Sequence, residues 1–445
     1  MNYQEALDYL RNLTTFGMNF GLDRIKKLME LLGDPHKNLK VVHIGGTNGK
    51  GSTASMLSAV LAESGYKVGL FTSPHIHSYR ERFRINGEMI SHHQVAALIV
   101  MIKPLLEKMV EEGCEHPTEF EVNTAMAFQY FYQENVDILV LEVGLGGEID
   151  STNIIDNPLL SIITNVAMDH MDYLGDTIKE IATVKSGIIK KNRPIITGSD
   201  KPEALEAIEK RSKLCDSPLY ILGRDFNYQT DALGKNGSIF SVTGLKDSYE
   251  RINLPLLGEH QGKNLALAVS ASELLQEMGY SKITKATIFA GLQKVVWNAR
   301  LEIFRQDPLI IIDVAHNVDG IITLKEAVKS IFPEYKLTLV IGMLADKERE
   351  KAVEIIAPLA ERIVVTKPLS PRAGNWEQLM VLAEKYCPEV LLEPNIGDAL
   401  ELALRSIHST QEEMIIVTGS FYMVSEARKW LQENKNLYFC AQHLI

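Results

Sequence analysis

The chain of 445 residues carries 46 Lys and Arg against 57 Asp and Glu, a formal charge of −11. With 46% apolar and 23% charged residues it has ordinary globular composition, and its length suits two or three domains with cores of their own. The acidic balance argues against a nucleic-acid partner, and no apolar run reaches the ~18 residues of a membrane span. The start, MNYQEALDYL, lacks a basic patch followed by an apolar stretch, so it does not read as a signal peptide. Cys114, Cys215, Cys387 and Cys440 lie far apart without CxxC or metal-ligand spacing and read as reduced thiols of a cytoplasmic protein.

The first ~40 residues read as helical, with apolar positions at Leu22, Ile25, Leu28, Leu31 and Leu32 and a stop at Gly33-Asp34-Pro35. A short apolar strand at 41–44 runs into a glycine-rich turn, then into a helix with Met56, Leu57, Val60 and Leu61 on one stripe. Strand-like runs recur at 67–72, 137–143, 159–166 and 194–197, with helical patterns between most of them. That alternation predicts an α/β, mostly parallel, doubly wound sheet. Residues 226–242 differ: short alternating runs around Gly234-Lys235-Asn236-Gly237 predict a small β-hairpin excursion. From about 301 the α/β rhythm restarts, with strands at 301–304, 309–313, 337–341, 363–366, 390–392 and 414–417. We therefore expect two domains, 1–297 and 298–445, with a ligand in the cleft between them.

The strongest chemical signal is Gly45-Gly46-Thr47-Asn48-Gly49-Lys50-Gly51-Ser52 between a strand and a helix. Glycines let successive backbone N–H groups point at phosphate oxygens, the helix N-terminus adds its positive end, and Lys50 adds a full charge. The loop departs from a strict Walker A, with Ile44 where that pattern has Gly and Gly51 directly after the lysine. Glu142 ends a strand-like run, Ser73 ends another and His170 follows a third. Oxygen and imidazole donors near nucleotide phosphates suit a hard divalent cation. Arg80, Arg82 and Arg84 alternate, so an extended segment would put three like charges on one face unless an anion answers them.

These motifs, in order, resemble the folylpolyglutamate synthase/dihydrofolate synthase family of the Mur ligase superfamily. The series runs from the loop through Thr72-Ser73-Pro74-His75, the stretch from Arg82 to Gly87, and Glu142-Val143-Gly144-Leu145-Gly146-Gly147. It continues with Asp169-His170, Lys185-Ser186-Gly187, Gly258-Glu259-His260-Gln261 with Asn264, Arg300-Leu301-Glu302, Asp313-Val314-Ala315-His316-Asn317 and Thr418-Gly419-Ser420. The resemblance implies a P-loop ATPase-like first domain, a smaller Rossmann-like second domain, and a monomer. It implies ligation of L-glutamate to folate or dihydropteroate at the expense of ATP. Gly46, Thr47, Asn48, Gly49, Lys50, Gly51, Ser52, Asn264, Arg300 and Asp313 would bind the nucleotide. Ser73, Glu142 and His170 would hold Mg²⁺, one or two ions. Ser73, Arg82, His316 and Ser420 would meet substrate, and Lys50, Lys185, Asp313 and His316 would serve catalysis, with Lys185 open to carbamylation.

The chain departs from the family pattern at Glu148, Val184, Asn298, Ala299, Val314 and Val318, which stand where Arg, Glu, Pro, Gly, Gly and Pro are usual. Those departures keep a glutamate ligase for another pterin or cofactor in view. A non-catalytic nucleotide switch would not need Glu142, His170 and Lys185 together. A cell-wall Mur ligase would carry a further domain before the loop, which only about 40 residues precede.

Overall fold

The computed structural model describes residues 1–17, 21–408 and 412–434; Cys440 lies outside them. They form two compact units, the first of Met1–Ala232, Ile239–Pro255 and His260–Val296, the second of Leu233–Ser238, Leu256–Glu259 and Trp297 onward. Among the described residues no helix is long and apolar enough to cross a membrane.

The first unit is built on eight strands: β1 (Val41–Gly45), β2 (Val68–Phe71), β3 (Phe83–Ile85), β4 (Glu88–Met89), β5 (Ile138–Glu142), β6 (Leu160–Ile163), β7 (Ile195–Thr197) and β8 (Leu219–Ile221). Their order is β4-β3-β2-β5-β1-β6-β7-β8. The six strands from β2 to β8 along that order are parallel, with β3 and β4 added antiparallel at one edge. β1 and β5 are buried at every position, as expected for strands covered on both faces. Phe71, Phe83, Phe128 and Phe131 belong to one core cluster of this unit, and Ile163, Ile181, Ile188 and Ile195 to a separate one.

Two elements differ from the sequence expectation. The helix Lys50–Glu63 is buried around most of its circumference, Ser52, Thr53, Ser55 and Ser58 included, rather than along one stripe. The helices His260–Glu277 and Lys285–Gln293 both pack on it, so polar faces are covered too. The excursion after β8 has three strands rather than two, β9 (Asn227–Gly234), β10 (Gly237–Thr243) and β11 (Ser248–Leu254), in the order β11-β10-β9. Glu273, buried, accepts from the N–H groups of Leu245, Lys246 and Asp247 and from Tyr249 Oη, which fixes the turn into β11.

The second unit carries β12 (Glu302–Gln306), β13 (Leu309–Ile312), β14 (Lys336–Ile341), β15 (Ala360–Val365), β16 (Glu389–Leu392) and β17 (Glu413–Thr418), ordered β12-β13-β17-β14-β15-β16. All pairs are parallel except β12–β13. Its core gathers Ile311, Leu324, Leu339, Val353, Ile363, Leu379 and Ile416.

Candidate active site

In the first unit β1 lies between β5 and β6, so the chain departs to opposite sides at its carboxyl end. Ligands bind open α/β sheets at such a point, and there the glycine loop stands. Two of its glycines are sterically required. A Cβ on Gly46 (φ +137°) would lie 2.0 Å from Thr164 Oγ1, and one on Gly49 (φ +83°) 2.3 Å from Asn264 Oδ1. The segment after β6 braces the loop. Thr47 N donates to Asn165 O (3.0 Å), Asn48 N to Asn165 Oδ1 (2.8 Å), and Thr164 Oγ1 to Asn48 O (2.6 Å). Asn264 is brought to the same loop, its Oδ1 3.5 Å from Thr53 Oγ1 and its Nδ2 donating to Gln261 Oε1 at 2.9 Å. Gly49 caps the helix Lys50–Glu63 without any side chain, and Gly51 and Ser52 form its first turn.

Lys50 Nζ folds back to Thr47 O (3.0 Å) and Gly46 O (3.2 Å), and Lys185 Nζ donates to the same Gly46 O at 3.0 Å. Lys185 is not the solvated helix-end lysine that its position alone suggests: only 3% of it is exposed. Burial first, and then the like charge of Lys50, push its amine down to about 7 against the pull of Asp169 and Asp150. Asp150, also buried, went unnoticed in the sequence. It accepts from Leu145 N (2.8 Å), Thr152 N (2.9 Å) and Thr152 Oγ1 (2.5 Å), and burial raises its pKa against those bonds. The Thr152 proton is thereby spent on Asp150, so His43 Nε2 on β1 donates to Thr152 Oγ1 (2.9 Å). Burial and Lys190 hold that imidazole at about 3.

Ser73 and Glu142 meet: Ser73 N donates to Glu142 Oε2 at 3.0 Å, and Glu142 is 4% exposed at the end of β5. His170 sits at φ +52° at the head of the short helix Met171–Leu174, its Nε2 3.9 Å from Asp169 Oδ2. Among the described residues no group of three or more His, Cys, Asp and Glu stands close enough to hold a metal by itself. A buried carboxylate beside a serine is nevertheless suitable donor chemistry for Mg²⁺, which keeps waters and shares nucleotide oxygens.

The three arginines do not share a face. Ser78 and Glu81 form a capping box that curls Tyr79–Arg82 into a 3₁₀ turn, and only Arg84 lies on β3. Arg80 turns to Ile90 O, and Arg84 Nε donates to Glu81 O (3.2 Å). Arg82 is buried, its Nε donating to His75 Nδ1 at 3.0 Å and its guanidinium lying 5.1 Å from the Tyr79 ring centroid. Tyr79 Oη in turn reaches Glu119 Oε1 (2.8 Å) and Asn123 Oδ1. Burial, then Arg82, lower the His75 imidazole to about 4.

In the second unit Asp313, directly after β13, accepts from Leu301 N (2.9 Å) and Ala315 N (2.8 Å). Burial raises its pKa, opposed by Arg300 and these two bonds. His316 Nδ1 lies 2.8 Å from Val314 O. Phe421, which the sequence reading passed over, stands between two expected residues: Arg300 lies 5.4 Å over its ring, and the His316 ring is 5.6 Å away. Asn317 and Ser420 act as side-chain caps, accepting from Gly320 N (2.8 Å) and Met423 N (3.2 Å). Two departures from the family pattern touch each other, Val314 N donating to Ala299 O (3.1 Å), and Ala299 takes the left-handed φ +57° that glycine would adopt freely.

Residues 44–272 match the Mur ligase middle domain, and residues 299–421 match the Mur ligase, glutamate ligase domain. A dihydrofolate synthase/folylpolyglutamate synthase of Bacillus subtilis is 36% identical over 97% of this chain and 99% of its own. The Mycobacterium tuberculosis folylpolyglutamate synthase complexed with ADP superposes with a TM-score of 0.89 at 31% identity, covering 96% of this chain and 98% of that one. An FPGS–AMPPCP–folate complex gives 0.85 at 32% identity over 97% and 100%. The chain therefore belongs to the folylpolyglutamate synthase/dihydrofolate synthase family of Mur ligases and is an ATP-dependent amide ligase.

Proposed function

We propose that the chain joins L-glutamate to a folate through an acyl phosphate. The observation that carries this reading is the convergence of Lys50 and Lys185 on Gly46 O of a braced phosphate loop. A carboxylate is a poor electrophile, because an amine cannot expel oxide from it. Transfer of the ATP γ-phosphoryl group to the folate carboxylate gives an acyl phosphate and ADP. The glutamate amine attacks that carbonyl, and the tetrahedral intermediate loses phosphate to leave the amide. Such chemistry rests on positioning and charge neutralisation rather than on an enzyme nucleophile.

Loop N–H groups and Lys50 hold the phosphates, and Mg²⁺ held by Ser73, Glu142 and His170 would neutralise their charge. Asn264 and Arg300 contact the nucleotide. Arg82 receives the anionic tail of the acceptor, and Asp313, His316 and Ser420 serve glutamate. In this reading residues 1–297 carry the phosphate loop and residues 298–445 the glutamate-ligase part together with Arg300, in a cytoplasmic monomer. A Lys185 amine near neutrality also suits carbamylation, in which Nζ adds to CO₂ and releases a proton. A carbamate ¹³C signal from labelled bicarbonate, absent in Lys185→Gln, tests that step.

The deciding experiment is ADP release with Mg²⁺, ATP and glutamate, adding dihydropteroate or tetrahydrofolate in separate reactions. Stimulation by both establishes a bifunctional synthase, and stimulation by tetrahydrofolate alone restricts it to polyglutamylation. No stimulation by either overturns the folate acceptor.

A further inference from the structure

Arg82 is an unusual buried arginine. It is 8% exposed, yet its side chain's only hydrogen bond among the described residues runs from Nε to His75 Nδ1 at 3.0 Å. The neighbouring carboxylate, Glu81, does not answer it. Glu81 Oε2 is taken by Ile76 N (2.8 Å) and Oε1 by His77 N (2.9 Å) and Ser78 N (2.8 Å), which ties down the loop that carries His75. Tyr79 supplies a floor to the guanidinium and packs on His75 at 5.3 Å between ring centroids. Arg82 is thus held along one edge and one face, while Nη1 and Nη2 have no protein acceptor among the described residues.

We infer that His75 is a positioning residue that commits Arg82 to grip the carboxylate of the acceptor end-on through Nη1 and Nη2. A guanidinium can fork a carboxylate side-on, through Nε and one Nη, or end-on, through both Nη groups. With Nε engaged by His75 only the end-on fork is left, and it has one orientation. Because Nδ1 accepts, the His75 imidazole is neutral with its proton on Nε2. Arg82, Glu81, His77 and Arg11 are the charged or titratable groups that act on it. The inference rests on the reading of Arg82 as the receptor for the acceptor's anion and adds the group that orients it.

The test separates the two. Michaelis constants for tetrahydrofolate and for ATP are measured in the full chain with Arg82→Gln, His75→Leu, His75→Asn and His75→Gln. Asn Oδ1 falls where Nδ1 stands, whereas the Gln amide reaches past it. His75→Leu and His75→Gln are expected to raise the tetrahydrofolate constant about tenfold, the scale of a hydrogen bond to a charged group, with the ATP constant unchanged. His75→Asn is expected to restore it to within about threefold. An Arg82→Gln chain with an unaltered tetrahydrofolate constant sinks the receptor reading itself. If Arg82→Gln weakens the acceptor while His75→Leu does not, the receptor stands and the positioning role falls. Should His75→Leu fail to fold, the Asn and Gln chains decide, and equal behaviour of those two overturns the inference.

Discussion

One strand-to-helix junction in the first unit and two in the second end parallel strands at helix N-termini but finish them with opposite chemistry. After β1 the helix Lys50–Glu63 begins at a glycine that offers no side chain, and Thr164, Asn165 and Asn264 brace the loop from outside it. After β13 and β17 the helices Val318–Ile331 and Phe421–Glu433 begin at Asn317 and Ser420, whose own oxygens take up the N–H groups of the first turn. An uncapped helix end keeps its donors for a phosphate, and a capped one has largely spent them. The first junction can therefore bind an anion through its backbone. Those of the second unit must act through side chains: Asp313, His316 and Arg300.

The largest effect should come from removing the charge that only the first junction carries. Lys50→Met is expected to lower kcat/KM by about a hundred- to a thousandfold, as for other lost donors to developing charge. Steady-state ADP release measures it, and a loss under tenfold would mean that the backbone alone suffices.

Lys185 sharpens the contrast through pH. Its folded pKa of about 7 lies below the ordinary lysine value of 10.5, so between these values the unfolded chain holds a proton that the folded chain does not. Stability contributed by Lys185 therefore rises with pH across that window, by at most about 1.4 kcal/mol per pH unit, and is lost as pH falls through 7. Urea unfolding of the chain and of Lys185→Met at pH 7, 8 and 9 should diverge by that sign. Parallel curves would mean that the amine has an ordinary pKa.

At the capped junctions of the second unit Asn317→Ala or Ser420→Ala should each cost about 1 kcal/mol of stability, the value of a lost N-cap. Ser91→Ala, at the cap of the helix His92–Glu111, gives the comparison. If Ser420→Ala lowers activity far beyond its effect on unfolding, Ser420 also meets substrate. The smallest effect belongs to Ala299→Gly, which relieves a left-handed alanine at the cost of a freer unfolded chain. A gain of about 0.5 kcal/mol in urea unfolding is expected, and a loss would show that the Ala299 side chain contributes packing.

Much of this was legible beforehand. Glycine and lysine spacing announced the loop because few residues tolerate φ near +137° or +83° at close approach, and alternating apolar runs announced both sheets. The arginine series was misread although its correction was written in the chain: Ser78 and Glu81, three apart, form the capping box that turns 79–82 out of an extended path. Asp150 and Phe421 carried no such signal, and His75 only its place in the motif Thr72-Ser73-Pro74-His75. Their importance comes from Thr152 and His43, from Arg82, and from Arg300 and His316, partners up to 121 residues away in the case of Phe421 and Arg300.

The sequence by itself determined the α/β class, the phosphate loop and the family, because local backbone demands and ordered motifs are properties of neighbouring residues. Only the tertiary structure decided which lysine is buried, which arginine has its ends open to an anion, and which polar residues cap helices. Burial and hydrogen-bond partners are set by chain segments that meet only on folding, and desolvation there moves a lysine amine by several pH units without any change in the residues beside it.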